Sequence, residues 1–237
     1  MQASHNIIRM LSKLGFCSRK QAVEYVRDGR VTLNGRVTTS PGQPATPKDK
    51  ILVDGKPPAR QEKICILLNK PAGCVTTRSD ELGRKTVYDY LDGAPGWIFP
   101  VGRLDLESEG LLVFTNDTAL GNRLTDPRYR IPRTYKATID GILLQRDMER
   151  IIHGGIDIGR GEFTGPAKIS PLSRQGGAQT LEITITEGKN REIRRMFEAL
   201  GRRTLRLERT CFGPFKLGNI PSGSWRAVPI PKDFSIF

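Results

Sequence analysis

The 237-residue sequence predicts an α+β fold: a small helix–helix–hairpin unit, then a larger body on a mixed, mainly antiparallel sheet. Three observations carry that expectation. Short apolar or alternating stretches outnumber helical ones. Their order is irregular, without the strict strand–helix alternation of repeated βαβ units. The charge texture also changes near residue 60, so the expected division is 1–60 and 61–237.

Taken in order, Ile7, Met10, Leu11 and Leu14 lie at helical spacing, and Gly15 stops that helix. Ser18 can cap a second helix with Ala22, Val23 and Val26 inward and Gly29 at its end. RVTLNGRVT reads as a hairpin about Asn34-Gly35, a pair that tolerates the positive φ angles of a type I′ turn. SPGQPATPKDK reads as loop, ILVDG as strand and turn, and residues 55–63, GKPPARQEK, as a linker. Beyond it, ICILLNKP, WIFPVGRL and LLVFTN read as strands, and Thr118 to Thr125 as a short helix with Leu120 and Leu124 inward. PRTYKATIDG alternates, placing Tyr135, Ala137 and Ile139 on one face. RDMERIIHGG reads as a helix ended by glycines, LEITITEG as a strand, REIRRMFEALG as a helix and RTLRLERT as a strand.

The formal net charge is +13. Residues 1–60 carry eleven Lys or Arg against four Asp or Glu, a net of +7, so a quarter of the chain holds over half of the excess. A basic module of that kind points to a polyanionic partner. Cys17, Cys65, Cys74 and Cys211 form no CxxC pair, and only His5 and His153 could join them. Neither a zinc site nor a disulfide framework is expected, and reduced thiols in the cytoplasm are. No apolar run approaches the ~20 residues of a membrane span, and MQASHNIIRM lacks the apolar core of a signal peptide.

Familiar nucleotide-binding patterns are missing: GRGEFTG has glycines spaced wrongly for a dinucleotide loop, and no Walker lysine pattern occurs. The unusual segment is GRLDLESEG, residues 102–110, which sets Arg103, Asp105, Glu107 and Glu109 between two apolar runs. A desolvated carboxylate at a strand end needs a positive partner. In a helix from Asn190 to Leu200, Ile193, Met196, Phe197 and Leu200 make the apolar stripe. Arg194 then falls at the border of that stripe and Arg195 nearly opposite it, in solvent. A border arginine can lay its stem along the core and push its guanidinium into a cleft, which makes Arg194 a candidate partner for Asp105; an ordinary flank charge, and for Asp105 a turn aspartate, are the alternatives.

Two resemblances sharpen this reading. LSKLGFCSRKQAVEYVRDGRVTLNGRV, covering most of residues 7–54, resembles the alpha-L RNA-binding domain, whose two helices and following turn grip structured RNA through phosphate contacts. On that resemblance Arg9, Arg19, Lys20 and Arg30 are RNA-binding candidates. GRLDLESEGLLVFTND resembles the central motif of RNA pseudouridine synthases, and the surrounding pattern is most similar to the ribosomal small-subunit pseudouridine synthase A family. LLNKPAG, RTYKATIDG, and EGKNREIRRMFEALG followed by LRLERT resemble three further blocks of that family, in the same order.

The resemblance implies an isomerase that converts uridine in ribosomal RNA to pseudouridine. It carries the essential aspartate onto Asp105 and the neighbouring arginine, which helps fill the place of a flipped base, onto Arg103. The stacking tyrosine falls on Tyr135, the arginine paired with the aspartate on Arg194, and an apolar pocket residue on Leu207. Glu107 and Glu109 then read as turn and surface charges. The isomerisation is redox-neutral, so no metal or organic cofactor is implied. The expected partner is ribosomal RNA or a ribosomal subunit precursor, bound by a cytoplasmic monomer without a membrane. GRKT and LRLERTCFG lean the target toward the large subunit. A non-enzymatic RNA-binding or ribosome-assembly factor is the alternative; it explains the basic N-terminal segment but not the GRLD block or Tyr135. A glycosidase pairing Asp105 with Glu109 leaves the RNA-binding module unexplained.

Overall fold

The computed structural model describes residues 5–58 and 62–231. The chain folds into two compact units. The first comprises Met1–Ile64 with Pro95–Phe99 and Thr115–Ala119, the second Cys65–Ala94, Pro100–Phe114 and Leu120–Phe237.

In the first unit, β1 (His5–Asn6) leads into α1 (Ile7–Lys13), where the Asn6 side chain caps the helix by accepting from Arg9 N at 2.9 Å. Ser18 caps α2 (Arg19–Arg27) in a full capping box: its hydroxyl accepts from Gln21 N, and the Gln21 side chain accepts from Ser18 N. β2 (Val31–Leu33) and β3 (Arg36–Thr38) form the expected hairpin, with Asn34 and Gly35 at φ 52° and 83°. The segment expected to be loop contains a short strand, β4 (Pro44–Ala45), paired with β1, and β5 (Ile51–Val53) joins β2 on its free side. Ile7, Leu11, Ala22, Val26 and Val31 are fully buried between helices and sheet. Each of the larger aliphatics stabilises the unit by roughly 1.5–3 kcal/mol. Asn116 joins this unit through its amide, which accepts from Ile64 N at 2.8 Å and donates to Glu62 O at 2.7 Å. Of the expected linker, residues 59–61 lie outside the described residues.

The second unit is built on a nine-stranded sheet. In chain order the strands of this sheet and the helices between them are β6 (Cys65–Lys70), β7 (Phe99–Pro100), β8 (Glu109–Thr115), α3 (Thr118–Thr125), β9 (Arg133–Asp140), α4 (Gln145–His153), β10 (Lys168–Gln175), β11 (Ala178–Ile185), α5 (Glu192–Ala199), β12 (Thr204–Phe212), β13 (Phe215–Lys216) and β14 (Trp225–Ala227). The strand order is β10-β11-β9-β12-β8-β6-β14, with β7 beside β8 and β13 beside β12. β12 runs parallel to β8 and antiparallel to β9; the pairs β10–β11, β11–β9 and β6–β14 are antiparallel. This is the mixed, mainly antiparallel sheet the sequence predicts.

β9 alternates as expected: Tyr135, Ala137 and Ile139 are buried on one face. On the other, Thr134 and Thr138 meet Thr184 and Thr180 of β11 through hydroxyl pairs at 2.9 and 3.1 Å. The helix over Thr118–Thr125 also forms, with Leu120 and Leu124 inward. WIFPVGRL shrinks to the two-residue β7, although Val101 N still donates to Val113 O at 2.7 Å. The edge strands β10 and β14 have no counterpart among the strands expected from the sequence. Leu111, Val113, Leu120, Leu124, Ile131 and Phe212 anchor the core under the sheet. β8 and β12 approach so closely that a Cβ on Gly110, at φ 95°, would overlap the Arg209 backbone carbonyl; only glycine fits there. Among the described residues no helix is long and apolar enough to cross a membrane.

Candidate active site

Five of the residues singled out in the sequence come from four separate parts of the second unit. Arg103 and Asp105 lie on the turn before β8, Tyr135 on β9, Leu207 on β12 and Arg194 on α5. The first four line one cavity of about 430 Å³, within the range of small-ligand pockets. Two register shifts between β12 and β9, at 204/206 and 209/211, flank Leu207 and Glu208 and re-aim side chains at the cavity wall.

The turn that carries Asp105 is clamped from both sides. Upstream, the Thr76 hydroxyl donates to Leu104 O at 2.8 Å. Downstream, Lys70 donates its ammonium to Ser108 O at 2.7 Å, to Leu106 O at 3.4 Å and to Pro71 O at 3.0 Å. Gly73 N adds a bond to Leu106 O at 2.8 Å, and Ser108 N closes the turn on Asp105 O at 3.1 Å. Lys70 is fully buried, and among the described residues no carboxylate lies within ion-pair distance of it. Burial pushes its pKa down, opposed by Cys74, Asp105 and Glu109. Three carbonyls thus hold this cation, and it holds the backbone on which Asp105 sits. Its signal in the sequence is a lysine ending a buried strand in LLNKP, a position that periodicity alone does not mark as special.

Arg194 is buried, but its closest carboxylate differs from the one expected. Nη1 lies 3.5 Å from Glu107 Oε2, and Nη2 donates to Ser108 Oγ at 3.4 Å. Among the described residues Asp105 has no ion pair within 4 Å. Burial pulls the Arg194 pKa down; Glu107 first, and Asp105 more weakly, oppose that shift. Glu107 is therefore more than a turn charge: it meets both Arg194 and Arg191, at 3.5 Å each. Glu109 is no free surface charge either, being paired with Arg206.

The helical-wheel expectation for Arg195 is overturned. α5 starts at Glu192, after Arg191 turns through the left-handed region at φ 50°. The face opposite the apolar stripe is covered by residues 158–162. Arg195 donates to Ile158 O and Gly159 O at 2.7 Å each and pairs with Glu162 at 2.6 Å. A wheel gives angles about the axis and says nothing of what packs outside it.

Among the further charged residues that line the cavity, unforeseen in the sequence, three stand out for their burial or partners. Arg133 donates to Glu187 O at 2.9 Å and Leu124 O at 3.3 Å; Arg209 donates Nε to Leu111 O at 2.8 Å. Their guanidiniums lie 5.0 and 4.8 Å from the Phe212 ring centroid. Glu192, buried at the start of α5, is the third.

In the first unit Arg9, Arg19 and Lys20 are exposed, and among the described residues none has an ion pair. Arg30 differs: Asp54 holds it through two bonds, at 2.8 and 2.6 Å, and it lies over the Tyr25 ring at 4.3 Å.

A carboxylate on a clamped turn facing one pocket with a buried tyrosine, in a chain that also carries a basic helical module, coincides with family-level matches. Residues 64–199 match the RNA pseudouridylate synthase family and residues 8–51 the S4 domain. The chain belongs to the RNA pseudouridylate synthase family. It is 40% identical over 225 residues to an uncharacterised RNA pseudouridine synthase of Aquifex aeolicus (strain VF5), covering 94% of this chain and 89% of that one. It is 38% identical over 222 residues to ribosomal large subunit pseudouridine synthase B of Bacillus subtilis (strain 168), covering 93% and 90%. Among solved structures, a crystal structure of pseudouridylate synthase superposes with a TM-score of 0.69 at 27% identity, over 95% and 96% of the two chains.

Proposed function

We propose that the protein converts one uridine of large-subunit ribosomal RNA to pseudouridine, with Asp105 as the catalytic carboxylate. The observation that carries this reading is the placement of Asp105 on a doubly clamped turn at a 430 Å³ cavity shared with Tyr135 and Leu207. The relative from Bacillus subtilis, named for the large subunit, supports the choice of RNA.

A uridine stacked in RNA cannot reach that carboxylate, so it must be flipped out, at a few kcal/mol of unstacking. Arg103, exposed at the cavity mouth, takes the place the base vacates. Tyr135 and Leu207 hold the flipped ring by a π-face and an apolar wall. The isomerisation then breaks the bond from N1 to C1′, turns the ring and forms the bond from C5 to C1′. The proton on C5 leaves and N1 gains one, so atoms and electrons balance without an oxidant or reductant. Arg194, with Glu107 and Ser108, holds α5 and the Asp105 turn in register and supplies positive potential beside the carboxylate.

Residues 1–60 are the RNA-holding module of this reading and residues 61–237 the catalytic one. Arg9, Arg19 and Lys20 contact phosphates, with Arg30 a weaker contributor because Asp54 already occupies it. The protein acts as a cytoplasmic monomer on ribosomal RNA or a subunit precursor. The test is to incubate the protein with unmodified large- and small-subunit ribosomal RNA and map carbodiimide-stable adducts. One new site in large-subunit RNA, lost with Asp105→Asn, is expected. Sites only in small-subunit RNA would overturn the target, and none in either would overturn the substrate.

A further inference from the structure

The turn between β11 and α5 contains two carboxyl groups that neither the mechanism nor the surface needs. Glu187, at the end of the strand, accepts from Gly165 N and pairs with the Lys189 ammonium. Glu192, at the start of α5, is 3% exposed and lines the cavity; its Oε2 accepts from Lys189 N at 2.9 Å. Its other oxygen, Oε1, is buried without a donor. An acceptor buried in that way is costly, whereas a protonated Glu192 carboxyl can donate to the Glu187 carboxylate with which it interacts. The same turn is tied to the strand bearing Tyr135, because Arg133 donates to Glu187 O at 2.9 Å. It continues directly into the helix bearing Arg194.

We propose that Glu192 works in its protonated form, donating to Glu187, and that this shared proton positions the Gly188–Arg191 wall of the pocket between Tyr135 and Arg194. The inference rests on the reading of that pocket as the uridine site. Glu192 is a positioning residue. When it loses the proton, the buried Glu192 carboxylate is brought against the partly exposed Glu187 carboxylate and the hydrogen bond between them is gone. The groups around it are Glu187 and Lys189 on its own loop, Arg133 on β9 and, around the same cavity, Tyr135, Arg209, Arg191, Arg103 and Asp105. Burial, and next the bond to Glu187, push the Glu192 carboxyl up to about 8. The pair should therefore hold at neutral pH and be lost progressively as the pH rises past that value.

At pH 9, one unit above that value, about a tenth of the molecules keep the proton, so single-turnover rates fall roughly tenfold from the neutral plateau. Glu192→Gln keeps an acceptor for Lys189 N and a donor for Glu187 without titrating. It should stay within about threefold of wild type at pH 7 and lack that alkaline limb. Ionisation of the uridine affects both proteins, so the ratio of their rates isolates Glu192. Glu192→Leu, similar in size but without polar atoms, should lose turnover at every pH. A parallel limb in wild type and a folded Glu192→Gln would overturn the proposal, as would a folded Glu192→Gln inactive at pH 7. A carboxyl NMR titration of the free protein reads the pair without any RNA. A midpoint near 8 in a protein that makes no pseudouridine would leave the pair standing and sink the uridine reading. A midpoint in the ordinary glutamate range would sink the pair alone.

Discussion

Arg9, Arg19 and Lys20 of the first unit stand in solvent with no ion pair among the described residues, whereas Lys70, Arg194 and Arg209 of the second are 0, 5 and 2% exposed. Similar cations are put to opposite uses. The exposed ones are hydrated and screened, and under the proposed function they act through the general attraction of a polyanion. The buried ones have surrendered hydration and are fixed by the protein: Lys70 by the carbonyls of Ser108 and Leu106, Arg209 by that of Leu111, and Arg194 by the Glu107 carboxylate and the Ser108 hydroxyl. A charge held in that way cannot reorganise and so offers a preset field to whatever enters the pocket. Under the proposed function net charge serves binding and buried charge serves chemistry, and substitutions should separate the two.

The largest effect belongs to the carboxylate itself. Asp105→Asn keeps shape but not charge, and turnover should drop by roughly a thousandfold or more, ~4 kcal/mol of barrier. RNA affinity should stay near wild type, measured by filter binding. A purified variant with more than about a tenth of wild-type turnover, a ~1.4 kcal/mol effect, would remove Asp105 from the centre of the mechanism.

Neighbouring arginines on α5 offer a second contrast. Arg194→Ala strips positive charge from beside the Asp105 turn and should lower turnover by about a hundredfold. Arg195→Ala should leave turnover close to wild type but lower unfolding free energy by about 1–3 kcal/mol, since Glu162 and the carbonyls of Ile158 and Gly159 lose their donor. Urea titration alongside single-turnover kinetics tests both. Equal activity losses would mean that the buried arginine holds no special place.

Tyr135 comes next. Tyr135→Ala removes a stacking face worth roughly 1–3 kcal/mol, or about five- to 150-fold, while Tyr135→Phe keeps the face and should retain most of the affinity for the flipped base. Kinetics of Tyr135→Ala indistinguishable from wild type would take this ring out of the pocket.

Legibility of these features in the sequence follows solvent contact. β9 and α3 are readable because each has one buried and one wet face, so periodicity reports the geometry. β10, KISPLSRQ, is exposed on nearly every residue, contains Pro171 and shifts register beside it; an edge strand with no buried face leaves no alternation to read. At the site, Asp105 stands out as a charge between apolar runs, and Tyr135 as one member of an alternating face. Arg133, Arg209 and Glu192 are illegible for the converse reason. A polar letter reads as surface, and only the folded arrangement shows which polar groups are enclosed. The nearest carboxylate to Arg194 is Glu107 rather than Asp105 because the choice between these i, i+2 neighbours is made by the turn that Lys70 pins, and Lys70 lies in another part of the chain.

The smallest effect on turnover is expected from the exposed cations, and it sharpens the comparison most. Arg9, Arg19 and Lys20 changed together to Gln leave the pocket untouched, so the rate at saturating RNA should match wild type. Each phosphate deprived of its cation lowers the slope of log affinity against log salt by about 0.9 on duplex RNA, taking the B-form value, or about 0.7 on single strands. Removing all three cations should therefore flatten it by roughly two to three. Arg30→Gln is the internal control. Its guanidinium is held by Asp54 through Nε and Nη2, so it is not offered to a phosphate, and losing it should change the slope by less than about half a unit. Titrating target-bearing RNA at four salt concentrations measures both. A flat response in the triple variant would mean that this face does not touch RNA. An Arg30 effect as large as any other would mean that Asp54 releases it on binding, and that the line between bound and free cations in the first unit is drawn by the RNA rather than by the fold.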